Sequence, residues 1–438
     1  MKIAYFSPFS PDRSGISDFS EELVMELSKY CQMDLYAAKP IANEEICSKF
    51  PVFQITEIND SNKRKQYDHL IYQAGNNRNY HKAVIDTFLK YPGILELHDL
   101  SLHYYLAEDT YVQKDFDKYI EIMKYCHGKK GEEAAKRFLK GEITAPWENQ
   151  SETFMVNKHL IDRASAVIVH SDLAKQTVKA LRPQAPVIQI PLHTPDIVPE
   201  YAAYREKSKR QLNLEQKFVF GSFGYATSAK RIEPIIRALA RLKKETSYRF
   251  QYLIVGKVEN VPVEQLKKKY DLEEEIVVTG FVPLDTFKTY MGACDICFNL
   301  RYPTQGESSA SLHRMLGMGK AVLVTKIGSF LEYPDDVVIK ISHNDSEIDE
   351  IVQALISLLN DKEKMERRQE AAYQYACRYL NLQQNAKLYD AFLKQVKDDT
   401  FTDSYEDYVL DTLHSMDFMY EKYALRVFEA MLGWIIET

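Results

Sequence analysis

The chain has 438 residues, more than one hydrophobic core usually serves, so two domains are the first expectation. Its composition is ordinary for a soluble globular protein, 45% hydrophobic and 27% charged, and a formal net charge of −7 excludes a general nucleic-acid binder, which needs a basic face. Six scattered cysteines in so long a chain exclude a disulfide framework, and no run of about 18 apolar residues reads as a transmembrane helix. The N-terminal "MKIAYFSPF" enters a strand at once and does not have the pattern of a signal peptide, so a cytoplasmic protein is the expectation.

In chain order, short apolar runs alternate with helical patterns. The first half offers "KIAYFS", "MDLYAA", "HLIYQAG", "GILELHD", "AVIVHS" and "PVIQIPL". The second half offers "FVFGSFG", "QYLIVGK", "IVVTGFV", "DICFNL", "AVLVTK" and "VVIKIS". Continuous apolar runs suit strands buried on both faces, as in a parallel sheet covered by helices. The repeated alternation predicts an α/β protein of two doubly wound, Rossmann-like domains facing a central cleft. Pro191, Pro195 and Pro199 punctuate "PLHTPDIVPE", which reads as the linker. The expected units are residues 1–194, residues 195–380, and a helical segment 381–438 that packs back on the first domain or forms a contact surface. Residues 101–160 break the pattern and read as a helical insertion after a strand end. In the tail, Leu410, Leu413, Tyr420, Ala424 and Met431 recur at helical spacing. A strap on its own domain, a subunit contact and a membrane-surface contact are the readings it allows.

Ligands of doubly wound sheets bind beyond the carboxyl ends of the strands, so the residues just after each strand are the candidates. Ser14 and Gly15 open a helix after the first strand, where free N–H groups face an anion. His98 and Asp99 follow "GILEL" and suit proton orientation or a sugar hydroxyl; His103, one turn on, suits packing. Lys230 and Arg231 open the helix "RIEPIIRALARLKK". Cations at that end oppose the macrodipole unless an anion or carboxylate is near, which points to phosphate. In "TQGESSASLHRMLGMGK", Gly306 frees the loop, and the N–H groups of Ser308, Ser309, Ala310 and Ser311 point at whatever lies above the helix. Glu307 is expected to take hydrogen bonds from sugar hydroxyls. At each place a capped helix or strand end without a ligand is the competing reading. The triplet Asp115-Phe116-Asp117 falls mid-helix and reads poorly as a metal site. Cys294 and Cys297 form a CxxC with no second ligand pair, so core packing is favoured over zinc. No metal and no cofactor is expected.

Taken together, "SPDRSGISDFSEEL", "GILELHDLSLHYYL", "IDRASAVIVHSDLAKQTV", "GYATSAKRIEPIIRALARL", "IVVTGFVPLDTFKTYMGACDICFNL" and "GESSASLHRMLGMGKAVLVTKIGSFLEYPD" resemble a glycosyltransferase of family 4 with the two-domain GT-B fold, over about residues 1–395. The resemblance implies metal-independent transfer of a hexose, with retention, from a UDP- or GDP-linked sugar to a glycan, lipid-linked or protein hydroxyl. It makes Lys230 the phosphate-binding lysine, His98 the histidine near the transferred sugar, Gly15 the first-loop glycine, and Phe281-Val282 the base-binding strand end. It also departs from the family. An ungapped alignment of the E-x7-E motif puts Gly306 at the first glutamate, one residue from Glu307, and Arg314 at the second. Tyr225 stands where a basic residue is usual, with Arg231 as its substitute. Guanidinium only donates hydrogen bonds, so Arg314 cannot accept from a ribose diol and is expected to pair with phosphate or Glu307. A nucleotide-sugar epimerase of similar architecture and a non-catalytic sugar-nucleotide-binding subunit are the alternatives.

Overall fold

The computed structural model describes residues 1–396. The tail positions from Leu410 to Met431, and the contacts read from them, lie outside these residues.

The first sheet contains β1 (Lys2–Phe6), β2 (Gln32–Ala37), β3 (Val52–Gln54), β4 (His69–Ala74), β5 (Ile94–Leu97), β6 (Ala166–Val169) and β7 (Val187–Gln189). Their spatial order is β3-β2-β1-β4-β5-β6-β7, and every neighbouring pair is parallel. The second sheet contains β8 (Phe218–Phe223), β9 (Phe250–Val255), β10 (Ile276–Gly280), β11 (Ile296–Asn299), β12 (Ala321–Thr325) and β13 (Val338–Ile341), in the parallel order β10-β9-β8-β11-β12-β13. Strands β5, β6, β11 and β12 are buried along their whole length, because helices cover both faces. That is why these strands read as continuous apolar runs rather than as alternating ones.

Each sheet reverses its strand order once, between β1 and β4 and between β8 and β11. Loops on either side of such a reversal leave in opposite directions and open a crevice, which is where open α/β sheets take their ligands. In the first domain the crevice lies between the loop ahead of the Gly15–Leu27 helix and Gly75–Asn77. In the second it lies between residues 224–231 and 300–309.

Residues 101–160 lie between β5 and β6 and hold the two helical runs of Phe116–Leu139, which meet at a kink at Gly128. A small core of their own, with Leu106, Tyr119, Met123, Phe154 and Val156, anchors them. Asp115 is not mid-helix; its side chain caps the Phe116–Leu139 helix by accepting from the Lys118 N–H. His103 is buried between the Phe154 carbonyl and the Tyr119 hydroxyl, each at 2.9 Å, a packing role. All six cysteines are free, with Cys294 and Cys297 in the core under the second sheet.

The chain crosses between domains twice, side by side. The Thr194 N–H bonds the Leu380 carbonyl at 2.9 Å, and the Asn385 side chain bonds the Pro191 carbonyl at 2.6 Å. The Leu382–Gln395 helix thereby returns to the first domain, where Tyr389, Phe392 and Leu393 join the core under β1, β4 and β5. Leu393 is 1% exposed there. Leu393→Ala should destabilise the first domain by about 3 kcal/mol, the usual cost of emptying a buried leucine site. Denaturant melts followed by a first-domain probe check this; a loss confined to the second domain would contradict the packing.

Candidate active site between the two domains

Seen from the second domain, the crevice is a cluster of donors. After β8, Gly224 turns the chain at φ +82, and Ser228–Lys230 forms a single 3₁₀ turn before the Ile232–Glu245 helix. The Lys230 side chain folds back so that its ammonium bonds the Phe223 carbonyl. A Cβ on residue 224 would lie 2.8 Å from Lys230 Nζ, so glycine is what lets the lysine approach the strand end. Lys230 is half-buried. Burial, and then the neighbouring Arg301, lower its pKa to about 7, with Glu307 opposing them.

Arg301, two residues past β11, was not singled out in the sequence. Its Nη1 donates to Glu307 Oε1 at 2.6 Å, and its buried Nε has no protein acceptor among the described residues. Asn299 Nδ2 beside it is in the same state, while Asn299 Oδ1 accepts from Ser309 Oγ at 3.1 Å. The Ala310–Gly317 helix starts here, capped by Ser309, with Ala310 exposed at its first position. An ammonium near neutrality, a guanidinium and a helix N-terminus thus converge on one side of the cleft, an arrangement suited to a diphosphate.

Glu307 is buried, and three donors of its own loop occupy it: Arg301, Thr304 Oγ1 at 2.9 Å and the Gln305 N–H at 2.7 Å. Burial works to raise its pKa, but Arg301 and these hydrogen bonds outweigh it and hold Glu307 as a carboxylate. The expectation that Glu307 faces sugar hydroxyls therefore gives way to a different role, orienting Arg301 and closing the loop. Gly306, at φ +67, brings that loop's backbone against the first domain, where a Cβ would meet Leu100 Cβ at 2.6 Å. Ser308 Oγ donates to the His170 carbonyl at 3.3 Å, and the Gln305 carbonyl accepts from the Ser101 N–H at 2.8 Å.

Two sequence expectations are corrected by ion pairs. Arg231, in the left-handed region at φ 56, pairs with Glu347 through Nε at 2.9 Å and through Nη2, so a carboxylate and not a phosphate balances it. Arg314 pairs neither with Glu307 nor toward the donor cluster. It is buried between Glu22 of the Gly15–Leu27 helix, at 2.7 Å, and Asp196 of the linker. Asp196 also pairs with Lys288 at 2.9 Å, and Glu22 accepts from His193 at 3.1 Å. Arg314 ties the second domain's helix to the first domain.

From the first domain, Asp99 is near enough to this cluster to feel Glu307 and Arg301, and His98 precedes it at the end of β5. Asp99 accepts from the Asn76 N–H at 2.8 Å; burial, and then Glu307, push its pKa up to about 6. His98 lies edge-on to Phe19 and beside His170, with ring centroids 5.0 and 4.7 Å away. Burial and three neighbouring histidines hold its pKa well below the ordinary value, so His98 is neutral. Ser14 caps the Gly15–Leu27 helix, and nothing lies within 4 Å of the side-chain position at Gly15. Arg13 reaches across and sits over the Phe281 ring at 4.6 Å. Phe281 and Tyr225 are 62% and 47% exposed, large for aromatics, and Val282 is half-buried. Of the sequence-derived candidates, Lys230, Gly306, Glu307 and Ser308 to Ser311 gather around Arg301 at one strand-end crevice, whereas Arg231 and Arg314 are committed to structural ion pairs.

Comparisons with known proteins agree with this architecture. Residues 204–375 match the family model of glycosyl transferases group 1. A curated relative, the uncharacterized glycosyltransferase YqgM of Bacillus subtilis (strain 168), is 23% identical over 222 residues, 50% of this chain and 58% of that protein. The match thus spans little more than half the length of the curated relative. Among solved structures, Anabaena HepE in complex with UDP superposes with a TM-score of 0.62 at 16% identity, over 90% of this chain and 100% of that one. Sucrose-phosphate synthase from Thermosynechococcus elongatus gives 0.62 at 14% identity, over 90% and 99%. WaaG, a glycosyltransferase involved in lipopolysaccharide biosynthesis, gives 0.59 at 15%, over 88% and 99%. The fold is that of the two-domain GT-B glycosyltransferases, and the second domain carries the group 1 signature. No helix among the described residues is long and apolar enough to cross a membrane.

Two outcomes follow from the geometry. Arg314→Ala leaves Asp196 with Lys288 and Glu22 with His193 as their remaining partners, so it should cost about 1–3 kcal/mol, less than breaking a fully buried pair. Arg314→Glu, which restores the residue the family resemblance expects, puts three carboxylates together and should cost more; thermal melts of both variants decide the order. Separately, an amine with a pKa of about 7 is mostly neutral above that pH, and a bound diphosphate favours its ammonium form. Binding of a nucleoside diphosphate should therefore take up a proton between pH 7.5 and 8.5, weakening by up to about tenfold per pH unit. Calorimetry in buffers of different ionisation enthalpy reads the uptake directly, and Lys230→Met should remove it.

Proposed function

We propose that this protein is a metal-independent, retaining glycosyltransferase that moves a hexose from a UDP- or GDP-linked sugar to a hydroxyl of a glycan, a lipid-linked intermediate or a protein. The observation that carries the reading is the convergence of Lys230, Arg301 and the N-terminus of the Ala310–Gly317 helix at the strand-order reversal of the second sheet. The group 1 family match over residues 204–375 covers that same half of the cleft. A nucleotide-sugar donor is also favoured by fold neighbours of known ligand content, since Anabaena HepE has been crystallised with UDP and with UDP-glucose.

In this reading the base lies against the strand end at Phe281-Val282, and the diphosphate lies on Lys230, Arg301 and the N–H groups of Ala310 and Ser311. Departure of the diphosphate leaves negative charge on its oxygens. Fixed donors facing that position stabilise the leaving group more than the intact donor, which lowers the barrier. The transferred sugar lies between this cluster and His98, whose neutral imidazole holds a sugar hydroxyl. The acceptor enters from the first domain, beside the 101–160 insertion, and attacks the face that the diphosphate leaves.

Incubation with a panel of nucleoside diphosphate sugars, with and without candidate acceptors, tests the reading. Release of the nucleoside diphosphate, by transfer or by slow donor hydrolysis, is expected. An isomerised donor with none released would identify an epimerase, and tight binding without turnover a sugar-nucleotide-binding subunit. Lys230→Ala should lower turnover by ~10²-fold, the usual cost of losing one preorganised donor to a developing anion. Activity should persist in a chelator; loss with recovery on adding Mn²⁺ or Mg²⁺ would refute the metal-independent mechanism.

A further inference from the structure

Glu96 is a carboxylate in the middle of an otherwise apolar strand, 0% exposed, and the donor site described above makes no use of it. The sheet register explains which groups it meets. Gln73 of β4 lies directly opposite Glu96 of β5. His98 follows two residues later on the same face, and His170, one residue past β6, lies alongside it. Tyr5 of β1 and Tyr389 of the Leu382–Gln395 helix close the group from the other sides, with Ser20 of the Gly15–Leu27 helix bonded to Tyr5 at 3.2 Å.

The hydrogen bonds in this group are directional. The proton of a neutral Glu96 belongs on Oε1, the oxygen facing His170, which leaves Oε2 as an acceptor, and at 2.6 Å the Gln73 side chain presents its Nε2 to it. Its Oε1 then faces His98 Nε2 at 2.6 Å, and an amide oxygen only accepts, so His98 carries its proton on Nε2. Nδ1 of His98 is left as an acceptor, with no protein partner among the described residues. The second oxygen, Glu96 Oε1, accepts from the Tyr389 hydroxyl and lies 3.6 Å from His170 Nε2. His170 donates its Nδ1 proton to the Ile190 carbonyl at 2.8 Å, so a neutral His170 turns a bare lone pair toward Glu96, and that Nε2 is buried without a partner. Two acceptors facing each other out of water repel unless one of them carries a proton. Lys and Arg side chains are not among the groups facing Glu96, which are Gln73, His98, His170, Tyr5 and Tyr389. Burial pushes the Glu96 pKa up to about 7, against the bonds from Tyr389 and Gln73, which fits a carboxyl that holds a proton.

We propose that Glu96 is a positioning residue for the sugar-facing histidine: through Gln73 it fixes His98 as the Nε2–H tautomer with Nδ1 free to accept from a donor-sugar hydroxyl, and under the sheet it holds its own proton on the oxygen that faces the His170 lone pair. The role of that hydroxyl contact rests on the glycosyltransferase reading; the tautomer and the proton on Glu96 do not. Glu96, His98 and His170 also bring ligand-type atoms within 4.8 Å of one another. A metal there would have to displace Gln73 from His98 and compete with Tyr389 for Glu96, whereas a proton leaves every bond in place.

The test uses the full chain with ¹⁵N-labelled histidine, the His98 signals being assigned by their loss in His98→Asn. Wild type should show the Nε2–H tautomer of His98 alone. Gln73→Met and Glu96→Leu should give mixed tautomers, and transfer should lose at least about tenfold in kcat with little change in donor KM, as for other partners that orient a functional histidine. Glu96→Gln should keep the single tautomer, because an amide still supplies an acceptor to Gln73 and a donor to His170. Gln73→Met decides the matter if Glu96→Leu does not fold. A pure Nε2–H signal persisting in folded Gln73→Met, an Nδ1–H tautomer in wild type, or one equivalent of divalent metal lost on Glu96→Gln would each overturn the proposal. Wild type that turns over no sugar nucleotide would refute the function instead, and the tautomer measurement would still stand on its own.

Discussion

The closed cleft depends on a buried guanidinium. Arg314 lies between Glu22 of one domain and Asp196 of the linker, and out of water such a group is tolerable only with its charge and its donors satisfied. Asp196 lies beside the Ala310–Gly317 helix through its own backbone contact with Gly317, whereas Glu22 reaches Arg314 only when the two domains meet. The same approach sets the loop before that helix on the first domain, with Gly306 against Leu100, Ser308 on the His170 carbonyl and Gln305 on Ser101. Arg314 is therefore the residue that brings the two halves of the cleft into register. With Glu22 and Asp196 in place, a glutamate at position 314 would be repelled by both.

Charge within the cleft is divided by domain. The second domain supplies cations, and the one carboxylate among them, Glu307, is turned inward on Arg301 and its own loop. Glu307 holds Arg301 in place while leaving Arg301 Nε without an acceptor. Lys230 feels both the guanidinium and the carboxylate, and burial outweighs either, so its charge responds to whatever binds beside it. A lysine of that kind gains most from an anion, because the anion stabilises both the bound state and the ammonium form.

Strand-end positions were legible in the sequence because a helix start carrying a cation, or a strand end carrying His-Asp, is locally unusual. Lys230, His98 and Ser308 to Ser311 all announce themselves that way. Arg301 carries a weaker signal, a cation just past the apolar run "DICFNL" with no helix start beside it, and its role comes from the loop that folds Glu307 back onto it. Glu96 was hidden for a different reason. One polar residue in a strand normally reads as the outward face, but a sheet covered on both sides has no outward face, so the residue had to be partnered. Its partners Gln73, His170 and Tyr389 come from separate strands and from a helix that returns after the whole second domain. Arg314 likewise meets Glu22 across 292 positions, a pairing no local pattern encodes. The Rossmann-like alternation was readable because it is local; the ion pairs that close the cleft are not.

The two domains place opposite electrostatic demands on the sugar between them. In the proposed reaction the leaving diphosphate gains negative charge while the sugar ring gains oxocarbenium-like positive charge, as in other glycosyl transfers. Cations are useful on the diphosphate side and harmful on the ring side. A histidine at a strand end would ordinarily titrate near neutrality and present a charge to the ring. Here His98 is kept neutral by burial and by a neighbourhood of further histidines, His170 and His193, themselves packed around Phe19. Charging any one of them would raise the cost of charging the next. In the proposed reaction, a cluster of imidazoles beneath the cleft is thus a way of holding a polar, hydrogen-bonding ring beside the sugar without the charge that would oppose its transfer.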